Sequence, residues 1–173
     1  MHEGGGAPHA AQGPKGLLRR ATEVWALLGG LLLLVIALMI SYSSAAGWLV
    51  GKPLPGDVEL VEMLTAVSVF MFLPYCQITG ANVTADIFTA RAGPRTVAIL
   101  DLLAALVALA FGLLLLWRMY YGLLDYRQYV ETTTILKIPI WVAYLPALAS
   151  LALLAAAAAA SVRAALSRVS QRR

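Results

Sequence analysis

The sequence predicts an all-α integral membrane protein with four transmembrane helices and a short amphipathic surface helix between spans two and three. Composition is the first ground: 61% of the 173 residues are hydrophobic and only 13% are charged, too apolar for a soluble domain of this length. Charge spacing is the second. Residues 24–51, 63–85, 102–117 and 138–162 contain no Asp, Glu, Lys or Arg, giving runs of 28, 23, 16 and 25 residues, and a bilayer core is crossed by roughly 20 helical residues. The third is what the chain lacks. One cysteine, Cys76, excludes an internal disulfide, and His2 and His9 both precede the first span, so haem held between facing helices, Ser–His chemistry and an HExxH zinc site have no ligands where they need them. No cofactor is expected. The net charge of +4 belongs to membrane-facing loops, and no nucleic-acid partner follows from it.

Residues 1–20 read as a Gly-, Ala- and Pro-rich cytoplasmic tail without apolar period, expected to be disordered, and 21–166 as the membrane domain. Span one covers 24–49, with Trp25 and Trp48 expected at the two interfaces. Its basic lead and trailing Ser43-Ser44-Ala45-Ala46 also resemble a signal peptide, but the apolar run exceeds the usual core of about 7–15 residues. Lys52-Pro53-Leu54-Pro55-Gly56-Asp57 is a turn that cannot continue the helix. Span two covers 58–76, and Pro74 is expected to mark its end. In 79–94, Val83, Ile87 and Phe88 recur at helical spacing among Asn82, Asp86 and Arg91, which predicts the surface helix. Span three covers 97–119 and is open to extension through Tyr120, Tyr121, Tyr126 and Tyr129. Span four covers 138–162, with Pro139 suited to a first helical turn and the alanines of 155–160 expected to form a close-packing surface. A basic tail, 167–173, ends the chain.

Basic residues set the orientation. Lys15, Arg19, Arg20, Arg91, Arg95, Arg163, Arg168, Arg172 and Arg173 make nine on one side, against Lys52, Arg118, Arg127 and Lys137 on the other. Both termini and the middle loop are then cytoplasmic.

Ionisable residues inside spans would mark a transport path, since a central carboxylate costs about 2.5–3.5 kcal/mol even on insertion scales. Asp57, Glu59 and Glu62 at the start of span two admit a cation or proton site, but acidic residues there also simply complement the helix dipole. Asp101, one turn into span three, admits pairing with Arg91 or Arg95, capping, a partner contact or a proton role. Arg118 is expected to snorkel to the interface, and Cys76 to pack as a small apolar residue. No phosphate-cradling loop, broken pair of spans or internal repeat appears.

Two stretches carry a family resemblance. Leu136-Lys137-Ile138-Pro139-Ile140-Trp141, with Tyr144 and Pro146 following, resembles the Leu-x-Ile-Pro-x-Trp, Tyr and Pro lead-in to the last span of the small membrane subunit of tripartite ATP-independent periplasmic (TRAP) transporters, the DctQ-like family. Gly80-Ala81-Asn82-Val83-Thr84-Ala85-Asp86 is similar to that family's Gly-x-His-Ile-x-Val-Asp, departing from it at Asn82 and Ala85. The resemblance implies a scaffold subunit acting beside a large DctM-like membrane subunit and a periplasmic solute-binding protein, in a system that imports an organic-acid-type solute on an ion gradient. It implies interface or structural roles for the matched positions Gly80, Asp86, Pro139, Trp141, Tyr144 and Pro146; Asn82, where the family pattern has histidine, and Asp101, singled out by its place in span three, are candidates beside them. The competing classes are a self-sufficient four-span transporter, which needs a carboxylate in span one, a cofactor-binding membrane anchor, and an assembly factor outside transport.

Overall fold

The computed structural model describes residues 14–80 and 94–170. They form four helices: α1 (Pro14–Val50), α2 (Asp57–Thr79), α3 (Pro94–Tyr129) and α4 (Trp141–Ser170). Each contains a stretch long and apolar enough to cross a membrane: Gly16–Val50, Asp57–Thr79, Ile99–Tyr129 and Trp141–Ser167. No strand occurs among the described residues, the nearest being one isolated bridge between Thr132 and Pro139. The expected surface helix, with Asn82 and Asp86, lies outside the described residues.

Packing follows the order α1, α2, α4, α3: α1 lies on α2, α2 on α4 and α4 on α3, with a smaller contact between α1 and α4. Small residues set these contacts. Gly29 of α1 is so close to α2 that a Cβ would stand 3.0 Å from that of Met71. Gly112 of α3 faces Leu154 and Ala155 of α4. Of the alanine run in α4, Ala157 and Ala158 are fully buried while Ala156 is exposed, so one face of the run packs rather than the whole. The outward faces of α1 and α3 are apolar, with Leu27, Leu31, Leu34 and Leu38 on the first and Leu103, Val107, Leu114 and Trp117 on the second. In lipid such faces carry no penalty.

Buried hydroxyls are satisfied within the helices. Ser68 donates to the Leu64 carbonyl at 2.8 Å, Ser150 to Pro146 at 2.7 Å and Thr22 to Arg19 at 2.9 Å. This back-bonding lets Ser and Thr sit where no water can reach them. Among the described residues no buried side-chain nitrogen or oxygen lacks a hydrogen-bond partner.

Several boundaries differ from expectation. Helix α1 begins at Pro14, ahead of the apolar run, and proline at a first helical position forfeits no hydrogen bond. Pro74 does not end α2: it is buried inside the helix, which continues to Thr79. Termination falls at Gly80, whose φ of 68° is left-handed and whose N–H donates to the Cys76 carbonyl, a glycine C-cap. Trp25, half-buried in α1, also bonds a second helix. Its indole N–H donates to Ser150 Oγ at 2.8 Å, and Ser150 is a buried residue of α4. Pro139 precedes α4 instead of occupying its first turn, and its carbonyl accepts the Val142 N–H at 3.2 Å. As the sequence left open, α3 does run on through Tyr120, Tyr121, Tyr126 and Tyr129.

Candidate functional site

The loops at 51–56 and 130–140 lie at the same end of the bundle, and there the sequence builds a cross-braced cluster. Helix α1 stops at Gly51, whose φ is 69° and whose N–H donates to the Gly47 carbonyl at 3.1 Å. Five residues later Gly56, at φ 79°, opens α2. The short chain between them is fixed to α1 through Ser43. Its buried hydroxyl donates to Asp57 Oδ2 and accepts the Leu54 N–H at 3.1 Å.

The second loop folds on itself. Thr133 N–H donates to the Ile138 carbonyl at 2.9 Å, Ile140 N–H to the Glu131 carbonyl at 3.1 Å, and Ile138 N–H to Thr133 Oγ1 at 3.1 Å. The turn between these bonds leaves the Ile135 and Leu136 amides without a backbone acceptor, and Glu59 of α2 takes both. Ile135 N–H donates to Oε1 at 2.7 Å and Leu136 N–H to Oε2 at 3.0 Å. A carboxylate accepting two amides forms charge-assisted bonds roughly twice as strong as neutral ones. Leu136 then packs on Gly56 so closely that a Cβ there would lie 2.5 Å from Leu136 Cγ. Gly56 thus serves twice, through its left-handed backbone and through the space it leaves. Lys137 and Val130, at φ 54° and 46°, hold conformations that branched or long side chains rarely adopt, consistent with a loop fixed by its bonds from both sides.

The start of α4 completes the cluster against α3. Tyr144 lies against Tyr126 with ring centroids 5.2 Å apart, and Gly122 makes room for it: a Cβ there would stand 3.1 Å from Tyr144 Cε1. The Arg127 guanidinium sits 5.8 Å from the centre of the Trp141 ring, a cation–π distance. Pro146 lies inside α4 and its carbonyl accepts the Ser150 hydroxyl, which also receives Trp25. The cluster therefore ties α1 to α2, α2 to the 130–140 loop, and α3 to α4.

Of the residues singled out by sequence, Pro139, Trp141, Tyr144 and Pro146 come together here. Gly80 and Asp101 do not: they line a recess of about 400 Å³ at the opposite end, between the close of α2, the start of α3 and Ser161 of α4. Asn82 and Asp86 fall outside the described residues. Sequence reasoning missed Gly56, Ser43, Leu136 and the clamping role of Glu59. The available signal was the Gly-Asp-x-Glu start of span two, which the sequence offers as a cation or proton site or as dipole complementarity, not as a clamp on a distant loop. Among the described residues no group of three His, Cys, Asp or Glu side chains comes together to hold a metal. The arrangement offers hydrogen bonding, packing and a shaped surface.

Comparison with known proteins agrees with that character. The family described as "Tripartite ATP-independent periplasmic transporters, DctQ component" matches residues 36–168, a range that takes in both the Gly80 stretch and the Leu136–Pro146 lead-in. No curated protein and no solved structure matches the chain at a significant level. With four helices fit to span a membrane and a family match over most of its length, the chain is a multi-pass membrane protein that belongs to the DctQ family, the small-subunit component of TRAP transporters.

Proposed function

We propose that this subunit is the stationary scaffold of its transporter, held beside a large DctM-like membrane subunit and served by a periplasmic solute-binding protein. The system imports an organic-acid-type solute on an ion gradient. The observation that carries this reading is the braced cluster at the 51–56 and 130–140 end. A subunit whose helix ends are tied by Glu59, Ser43 and the Tyr126–Tyr144 contact is built to stay in one shape while another part moves. The absence of ionisable residues from 102–117 and 138–162 supports the same view, because a solute or proton path through lipid depth calls for polar partners.

On this reading the chain lies in the bacterial cytoplasmic membrane with both termini inside, as the nine-to-four bias of basic residues indicates. The braced end then faces the periplasm, where a solute-binding protein docks. Replacing Asp86 or Trp141 should lower both the yield of the assembled complex and solute uptake. Normal assembly and uptake in both variants would overturn the scaffold assignment.

A further inference from the structure

Beside the braced cluster a recess of about 400 Å³ opens between the far end of α3 and the start of α4, lined among others by Arg118, Asp125, Tyr126, Tyr129, Glu131 and Tyr144. Its charged positions follow one another along α3 and past its end, away from the charge-free run. Arg118 directly follows the 16-residue charge-free run of α3. Asp125 comes two helical turns later, about 10 Å farther along the helix, and Glu131 lies beyond the end of the helix. Trp117, Tyr120 and Tyr121 are exposed at the same level, where aromatic side chains favour the lipid headgroups. Among the described residues no ion pair engages Arg118, Asp125 or Glu131.

A ligand suited to this order is anionic on its membrane side and cationic on its water side. A phospholipid with an amino-alcohol headgroup has that order, because the phosphate adjoins the glycerol and the ammonium is distal. We propose that the recess binds the headgroup of an ethanolamine-type phospholipid. The phosphate meets the Arg118 guanidinium, and the ammonium meets Asp125 and Glu131 among the Tyr126, Tyr129 and Tyr144 rings, which offer both π faces and hydroxyls. A glycerol-type anionic headgroup satisfies only Arg118 and brings no cation to the two carboxylates. The argument holds whichever side of the membrane this end faces.

The test reconstitutes the full chain in a bilayer of equal phosphatidylethanolamine and phosphatidylglycerol, then identifies retained lipid by native mass spectrometry. The expected result is one retained phosphatidylethanolamine, preferred about tenfold, which corresponds to about 1.4 kcal/mol. Arg118→Gln and Asp125→Asn should each abolish the preference while far-UV circular dichroism stays unchanged. Equal retention of the two lipids by the wild-type chain overturns the proposal without recourse to a variant, as does a preference that survives in both variants. Soluble phosphoethanolamine, added as a competitor, separates the sources: displacement of the lipid at equal concentration would assign the recess to a free zwitterion instead.

Discussion

Gly56→Ala isolates the contact that locks the 130–140 loop onto α2. Two costs follow from the geometry. The backbone at φ 79° is left-handed, which costs an L-residue about 1–2 kcal/mol. The new Cβ also stands 2.5, 2.9 and 3.0 Å from three atoms of the Leu136 side chain, so Leu136 must leave its place, and overpacking of that kind costs about 1–3 kcal/mol. Gly51→Ala provides the control, because Gly51 has a similar φ of 69° but nothing within 4 Å of its would-be Cβ. Unfolding by SDS titration in mixed micelles, followed by far-UV circular dichroism, should place Gly56→Ala at least about 1 kcal/mol below Gly51→Ala, the lower end of that steric range. Adding Leu136→Ala to Gly56→Ala should recover much of the difference, as a double-mutant cycle with a coupling of about 1 kcal/mol or more. Equal destabilisation by the two glycine variants, or a cycle with no coupling, would refute the packing argument.

Two further substitutions probe the rest of the framework. Glu59→Gln turns one of the two oxygens that accept the Ile135 and Leu136 amides into a donor, so it should leave one of those amides without its acceptor and should speed proteolysis at the 130–140 loop. Unaltered cleavage would show that the loop does not depend on the clamp. Trp25→Phe removes the indole N–H that bonds Ser150 but leaves Ser150 bonded to the Pro146 carbonyl; a loss near the average of about 0.6 kcal/mol for helix–helix hydrogen bonds in membranes is expected from the same titration, and a loss above about 2 kcal/mol would point to packing rather than the bond.

The parts of the fold legible in sequence are those governed by local chemistry. Charge-free runs locate all four helices because the cost of charge in lipid acts on each segment separately. The Leu136–Pro146 lead-in points to part of the braced cluster through its resemblance to the family pattern, not through local chemistry. What could not be read depends on residues far apart. Nothing near Glu59 announces that its acceptors are needed 76 positions later, nor that Trp25 meets Ser150 across 125 positions. Pro74 misleads for a physical reason: in lipid the alternatives to helix leave backbone groups unbonded, so the helix continues through a proline that would end it in water. Gly80 shows the converse. As a matched family position it carries no stated reason in sequence, and its left-handed backbone supplies one.

The central claim, that this chain is a scaffold fixed to a larger moving partner, is tested most directly by gentle extraction of the tagged chain from native membranes and mass spectrometry of what accompanies it. The account predicts one large multi-span membrane protein in fixed ratio. A well-folded chain recovered alone, or as a homodimer, would contradict it.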